Sequence, residues 1–209
     1  MGLVPHSVER RHDLAHRCCV PVPAGPAGPA DGGGGAVSGL LTTYLPGPNA
    51  FVDPDRPAGL GLYAMLTGVW FGVVIAIALA RWGNRPPVGL GVAALATWIA
   101  WEIAVNVAMQ IVGPAQAPGD LRYYVAGFAA GAVGAFVTWG GAAAWARALR
   151  DPRTAAAITL TGALFGLLLP LSLGPDLPVV LFVPWQAAVA GMLGWSLATG
   201  GARPRPQAA

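Results

Sequence analysis

The chain has 209 residues, of which 55% are hydrophobic and only 10% are charged. Soluble domains carry about 25% charged residues, so this composition leaves too little polar surface to cover a water-exposed globule. The two cysteines and the formal net charge of +3, spread over separate loops, exclude a disulfide scaffold and a nucleic-acid-binding stripe. The sequence therefore predicts an all-α integral membrane protein of the cell membrane, with the lipid bilayer as its surroundings.

Residues 1–58 differ from the rest and are predicted to form a disordered N-terminal tail. The run from Pro21 to Gly35 consists almost entirely of proline, glycine and alanine, which cannot bury a core. The segment from Ala36 to Leu45 is apolar but has too few residues to cross a bilayer, so we expect it to be interfacial at most.

The same tail contains soft metal ligands at close spacing, and one turn of helix could bring two of the histidines together. Adjacent cysteines in a flexible tail make a poor chelate, so the favoured interpretation is a tail without a metal or other cofactor. These residues are His12, His16, Cys18 and Cys19.

Beyond the tail, apolar runs separated by proline and glycine are long enough to cross a bilayer, which takes about 20 helical residues. None alternates in the manner of a barrel strand, so we expect helices joined by short connections into a compact bundle. The five predicted transmembrane helices are about 62–81, 88–112, 121–148, 154–173 and 178–199, within a bundle domain of 59–200.

Arginines near the ends of these helices predict the orientation. The connections after the first and third helices, together with residues 201–209, hold seven arginines, whereas the opposite side holds Arg56 and Arg122. Since cytoplasmic loops are enriched in arginine and lysine, the short C-terminal tail is predicted to be cytoplasmic and the start of the first helix to be outside.

Glycines recur four residues apart in three of the predicted helices, so each pair lies on one helix face. Such faces allow backbones to approach closely in lipid, where association depends on van der Waals packing. Packing within one bundle and dimerisation through one of the faces both remain open. The pairs are Gly68 and Gly72, Gly127 and Gly131, and Gly162 and Gly166.

Glu102 is the one charged residue deep within a predicted span. A carboxylate at that depth costs at least about 2.5 kcal/mol on insertion scales, so we expect it to be protonated, partnered or in contact with water. Asn106 and Gln110 follow at four-residue intervals and extend a polar stripe toward the outside.

Gln186 in the last helix lies at nearly the same predicted depth as Glu102, and Thr67 lies in the outer half of the first helix. The sequence therefore predicts an intramembrane polar cluster of Glu102, Asn106, Gln110, Gln186 and Thr67. One interpretation is a proton or cation site, or a pocket for a small polar ligand. The other is a structural network in which a neutral Glu102 bonds across helices.

Catalysis is disfavoured by the residue types in the predicted spans, which include no second acid and no histidine, lysine or cysteine. The favoured hypothesis is a membrane module without catalysis, serving as an accessory, assembly or structural protein beside a membrane partner or a second copy. The alternative is a transporter of a proton, ion or small solute that uses Glu102.

Overall fold

A computed structural model of the chain describes residues 30–44, 67–82, 87–113, 120–173 and 177–200. Nearly all of these residues are helical, which confirms the prediction of an all-α fold. Short 3₁₀ segments, Arg147–Leu149 and Leu169–Ser172, follow the fourth and fifth helices. The helices within the described ranges are α1 (Ala30–Tyr44), α2 (Thr67–Trp82), α3 (Pro87–Val112), α4 (Leu121–Trp145), α5 (Pro152–Gly166) and α6 (Pro178–Gly200).

Helix α1 corrects the prediction that the tail is disordered throughout. Ala30–Tyr44 includes the glycine tract of the tail, yet it forms a helix that packs along α6 and also touches α2. Glycine costs about 1 kcal/mol per residue in a helix relative to alanine, so packing must stabilise this segment where propensity does not. The rest of the predicted tail lies outside the described residues.

The helix ends are set by local chemistry. Asp120 and Asp151 cap α4 and α5, since each carboxylate accepts a hydrogen bond from the backbone N–H two residues later. Gly113, with a φ of 65°, terminates α3, a conformation that favours glycine. Helix α5 ends at Gly166 and gives way to a 3₁₀ segment containing Pro170, so the predicted continuous helix over 154–173 is wrong.

Each helix packs against the next along the chain from α1 to α6, and α6 closes the bundle by packing against α1 and α2 as well. The close contacts run in opposite directions along the α1–α6, α2–α3, α3–α4 and α4–α5 pairs. Gly68 meets Trp101 and Gly72 meets Ala94, for example, so α2 and α3 are antiparallel.

Most of the large, fully buried apolar side chains come from α2 and α6, with Leu149 and Ile158 from other elements, and glycine and alanine dominate the buried positions of α4. Each of the two helices contributes a stripe at four-residue spacing, which is the pattern of one helix face. Elsewhere the small side chains bring the backbones themselves together. The two stripes are Phe71, Ile75 and Leu79, and Val189, Leu193 and Leu197.

Three of the helices are long and apolar enough to cross a membrane: α3, α4 and the Pro178–Thr199 part of α6. The apolar part of α2 within the described residues, Gly68–Trp82, is shorter, and the positions of the first predicted span before Thr67 lie outside them. The structure thus has three candidate spans of full length, where the sequence predicts five.

Candidate functional site: a polar contact and a cavity

A polar contact joins α1 to α6 in the interior of the bundle. Gln186 is completely buried, and its side-chain amide donates to the Thr42 hydroxyl oxygen over 3.2 Å. The carbonyl end of the same side chain, Oε1, contacts the Ser38 hydroxyl, which also lies 2.9 Å from the Gly35 carbonyl oxygen. Both ends of this buried amide are therefore satisfied by α1, which a buried polar group requires.

Two glycines of α1 make that contact possible. A Cβ atom at Gly39 would lie 2.6 Å from the Cα of Val183, and one at Gly35 would overlap the backbone of Gln186. No side chain fits at either position unless the helices separate. The absence of these side chains lets Ser38 and Thr42, on the same side of α1, reach Gln186.

Glu102 lies midway along α3 and is partly buried. The Asn106 side-chain amide donates to the Glu102 backbone carbonyl over 2.8 Å, while Gln110 is exposed. The hydrogen bonds described for the Gln186 side chain are with Ser38 and Thr42 of α1, and the predicted cluster with Glu102 stays a prediction. The side chain of Thr67 lies outside the described residues.

The three predicted glycine pairs all lie at contacts between helices of this chain. Gly68 and Gly72 of α2 face α3, where an added Cβ atom would come within 2.8 Å of the Trp101 Cβ and 2.7 Å of the Ala94 carbonyl oxygen, respectively. In α4 and α5 the two pairs face each other: Gly127 lies against Gly166, and Gly131 against Gly162.

Trp185 connects four helices at the centre of the bundle. Its indole N–H donates to the Gly162 carbonyl oxygen of α5 over 3.0 Å, and its ring centroid lies 5.6 Å from that of Phe71 in α2. A Cβ atom at Gly134 of α4 would touch the same ring at 3.4 Å. The side chain thus occupies the space that the small residues of α4 and α5 leave open.

A cavity of about 690 Å³ lies beside Trp185, between α1, α3, α4, α6 and the 3₁₀ segment after α5. The α3 residues that line it include Trp101, Ala104, Val105 and Ala108. Glu102, Asn106 and Gln110 lie on a neighbouring face of α3, outside the lining. The predicted polar stripe and the cavity are therefore separate features.

Within the described ranges, no group of three or more histidine, cysteine, aspartate or glutamate side chains could hold a metal ion. His12, His16, Cys18 and Cys19 lie outside those ranges, so their prediction is untested.

The residues of the α1–α6 contact carry a signal that the sequence reasoning did not use. Gly35 and Gly39 are four apart, as are Ser38 and Thr42, which is the same small-residue spacing that marks the glycine pairs of the later helices. This spacing was not recognised in the sequence because the glycine-rich tract was assigned to the disordered tail. Trp101 and Trp185 were missed because nothing in a single sequence tells a buried tryptophan from one at the membrane interface.

Comparison with protein-family models, curated proteins and solved structures finds no match to the chain.

Proposed function

We propose that the chain is a multi-pass protein of the cell membrane that has no catalysis of its own and serves as an accessory, assembly or structural module. The observation that carries the proposal is the outward face of α3. Val92, Leu95, Ile99 and Ile103 are 42, 51, 44 and 39% exposed and recur at three- and four-residue spacing along one side of the helix. A stripe of this kind is unfavourable in water and favourable against acyl chains.

The neighbouring helices support the same interpretation. Val73 and Ile77 of α2, Phe136 of α4 and Leu160 of α5 are likewise exposed, whereas the interior contains glycine, alanine and hydroxyl side chains. Large apolar residues on the outward faces, with small residues at the α1–α6 and α4–α5 contacts, are the arrangement expected where lipid surrounds the helices, and α2 and α6 bury large apolar side chains in addition.

The direction of α1 extends the predicted topology. Gly32 lies near Ala187 and Gly39 near Val183, so α1 runs antiparallel to α6. If α6 runs from outside to inside, as the arginines favour, the N-terminal end of α1 points toward the cytoplasm. This arrangement places the start of α2 and the end of α1 on the outer side.

The acidic groups of the described residues support the proposal that the chain has no catalysis of its own. Asp120 and Asp151 cap helices at the ends of the bundle, and Glu102 lies in the middle of α3. The three groups thus lie in different parts of the bundle, whereas general acid–base chemistry commonly uses two acids close together or an acid beside a nucleophile.

The experiment is fractionation combined with topology reporters. We expect the full chain to remain in the membrane pellet after alkaline carbonate extraction and to be released by detergent. Reporters after residues 84 and 151 and at both termini should behave as cytoplasmic, and reporters at 116 and 175 as external. Release by carbonate would refute the membrane location, and a reversed reporter pattern would refute the orientation alone.

A second candidate function, transport of a proton, ion or small solute through Glu102, is favoured by one observation. The carboxyl group is partly buried in the middle of a helix whose exposed side is otherwise strongly apolar. Ionisable groups in such positions are expensive to keep and mark ion or proton pathways in many membrane proteins.

A further inference from the structure

The cavity beside Trp185 is large for a bundle of this size. It is a cleft that is partly open to its surroundings, not a sealed void. Small-molecule sites measure about 300–1,000 Å³, and at about 690 Å³ the cavity falls within that range. Because its walls come from α1, α3, α4 and α6, a molecule inside it would contact most of the bundle.

The chemistry of the walls restricts what could bind. None of the described residues that line the cavity carries a charge, and five aromatic residues contribute to it. A charged group placed there would lose its hydration without gaining a counter-charge from these walls. The aromatic residues are Tyr44, Phe71, Trp101, Phe182 and Trp185.

Hydroxyl groups give the walls a limited polar character. The Thr97 hydroxyl donates to the Ala93 carbonyl and the Ser172 hydroxyl donates to the Leu169 carbonyl, so in both residues the proton is already used. The oxygen atoms still have lone pairs available, since a hydroxyl can accept two hydrogen bonds. The walls therefore favour a ligand that has a hydroxyl group of its own.

Trp101 contributes a buried aromatic ring to one wall. Its side chain is 7% exposed and its ring lies 5.0 Å from that of Phe182, but its indole N–H has no hydrogen-bond partner among the described residues. The indole N–H of Trp185 does have one, the Gly162 carbonyl oxygen. The Trp101 N–H is itself inaccessible inside the bundle, so Trp101 contributes the face of its ring to the cavity and not a hydrogen-bond donor.

We propose that the cavity binds an uncharged, mainly apolar molecule that carries a hydroxyl group, of the class of a long-chain alcohol. The aromatic and alanine side chains contact its chain, and the hydroxyl oxygens of α3 and of the 3₁₀ segment accept from its hydroxyl group. The site is distinct from the Glu102 stripe and does not depend on whether the module is an accessory protein or a transporter.

Quenching of tryptophan fluorescence by a brominated ligand tests the proposal, because bromine quenches an indole that it contacts. The protein for the measurement is the full chain in detergent with Trp70 and Trp195 changed to phenylalanine, since these two side chains are exposed and would report simple partitioning. Dibromostearyl alcohol is the probe, and ionised dibromostearic acid is its charged counterpart.

We expect the alcohol to quench in a saturable manner with about one site per chain, and the acid to bind at least tenfold more weakly. Ala108→Phe, which places a ring in the cavity, should abolish the saturable component. Ala80→Phe on the exposed side of α2 is the matched control and should leave it intact. If circular dichroism and gel filtration show that Ala108→Phe does not fold, Val105→Phe, at a second lining position, replaces it and should abolish the saturable component.

Two results would overturn the proposal. The first is quenching that rises linearly with probe and is unchanged in a folded Ala108→Phe or Val105→Phe variant, which would place the probe in the detergent or on the outer surface. The second is equal affinity for the alcohol and the ionised acid, which would contradict the uncharged class of ligand. Neither result bears on carbonate extraction, so the membrane proposal is tested separately.

Discussion

Gly131 of α4 and Gly162 of α5 approach each other so closely that a Cβ atom on either would overlap the carbonyl oxygen of the other. Gly127 and Gly166 repeat the arrangement one turn away along the antiparallel pair. The contact is between backbones, so the neighbouring atoms cannot move aside in the way that a flexible side chain can. The close packing of α4 against α5 thus depends on the absence of side chains at these four glycines.

We predict that Gly131→Ala destabilises the protein although alanine is the better helix former. The methyl group would force α4 and α5 apart, and overpacking of this kind costs about 1–3 kcal/mol. Gly140→Ala in the same helix is the matched control, because a Cβ atom there meets nothing within 4 Å. The control should gain up to about 1 kcal/mol from helix propensity.

Thermal unfolding in detergent, followed by circular dichroism, measures the difference between Gly131→Ala and Gly140→Ala. Equal midpoints would show that α4 and α5 are not in contact as described. Gly89 is unsuitable as a neutral site despite lying near a helix end, since an added Cβ atom would come within 2.8 Å of the Trp145 ring.

Removal of α1 should destabilise the bundle. Deletion of residues 1–44 takes away both the close backbone contact with α6 and the partners of the buried Gln186 side chain. We expect a lower thermal midpoint and greater susceptibility to proteolysis. Deletion of residues 1–29 removes no described contact and serves as the control. If both deletions leave stability unchanged, the docking of α1 on α6 is refuted.

The Gln186 contact can be measured by a double-mutant cycle with Thr42. Gln186→Leu leaves Ser38 and Thr42 facing an apolar group, and Thr42→Val removes the acceptor of the Gln186 amide. An unsatisfied buried polar group costs about 1–3 kcal/mol, so each single substitution should be destabilising. The double variant should be less destabilised than the sum of the two, and strict additivity would argue against a direct hydrogen bond.

The helical class and most helix boundaries follow from the sequence because apolar runs and proline–glycine separators act locally. Helix α1 does not follow, since a glycine tract has low intrinsic helix propensity and the helix depends on its packing against α6 and α2. The partners of Gln186 were missed for the same reason. A depth argument placed Gln186 level with Glu102, yet depth along a helix says nothing about which neighbour its side chain faces.

Arg150 has a structural role that the sequence does not indicate. From the sequence alone, the arginines between α4 and α5 are explained by the preference for positive charge on the cytoplasmic side. In the structure the Arg150 side chain donates to two carbonyls at the end of α4, from Nε to Ala143 over 2.9 Å and from Nη2 to Ala144 over 2.7 Å. Cations near a helix C-terminus stabilise its unpaired carbonyls.

We therefore expect Arg150→Gln to lower stability by about 0.3–1 kcal/mol, the size of a typical interaction with a helix end. Arg153→Gln is the control, because the described hydrogen bond of Arg153 with Asp151 uses its backbone N–H and survives the substitution. Both changes remove one positive charge, so a topology effect would be equal in the two. Equal unfolding midpoints for both variants would show that the cap contributes nothing measurable.

Glu102 separates the two functional proposals. Glutamine retains the shape and hydrogen-bonding capacity of a neutral carboxyl group but cannot titrate. Glu102→Gln should therefore change the free energy of unfolding by no more than about 0.5 kcal/mol. If the chain is a module without transport, any growth defect caused by its deletion should be rescued by Glu102→Gln as well as by the parent. Loss of rescue by a variant that is folded and correctly inserted would favour the transporter instead. Glu102→Leu removes the hydrogen-bonding capacity as well as the charge. If leucine lowers the thermal stability and glutamine does not, the neutral carboxyl group makes a structural hydrogen bond.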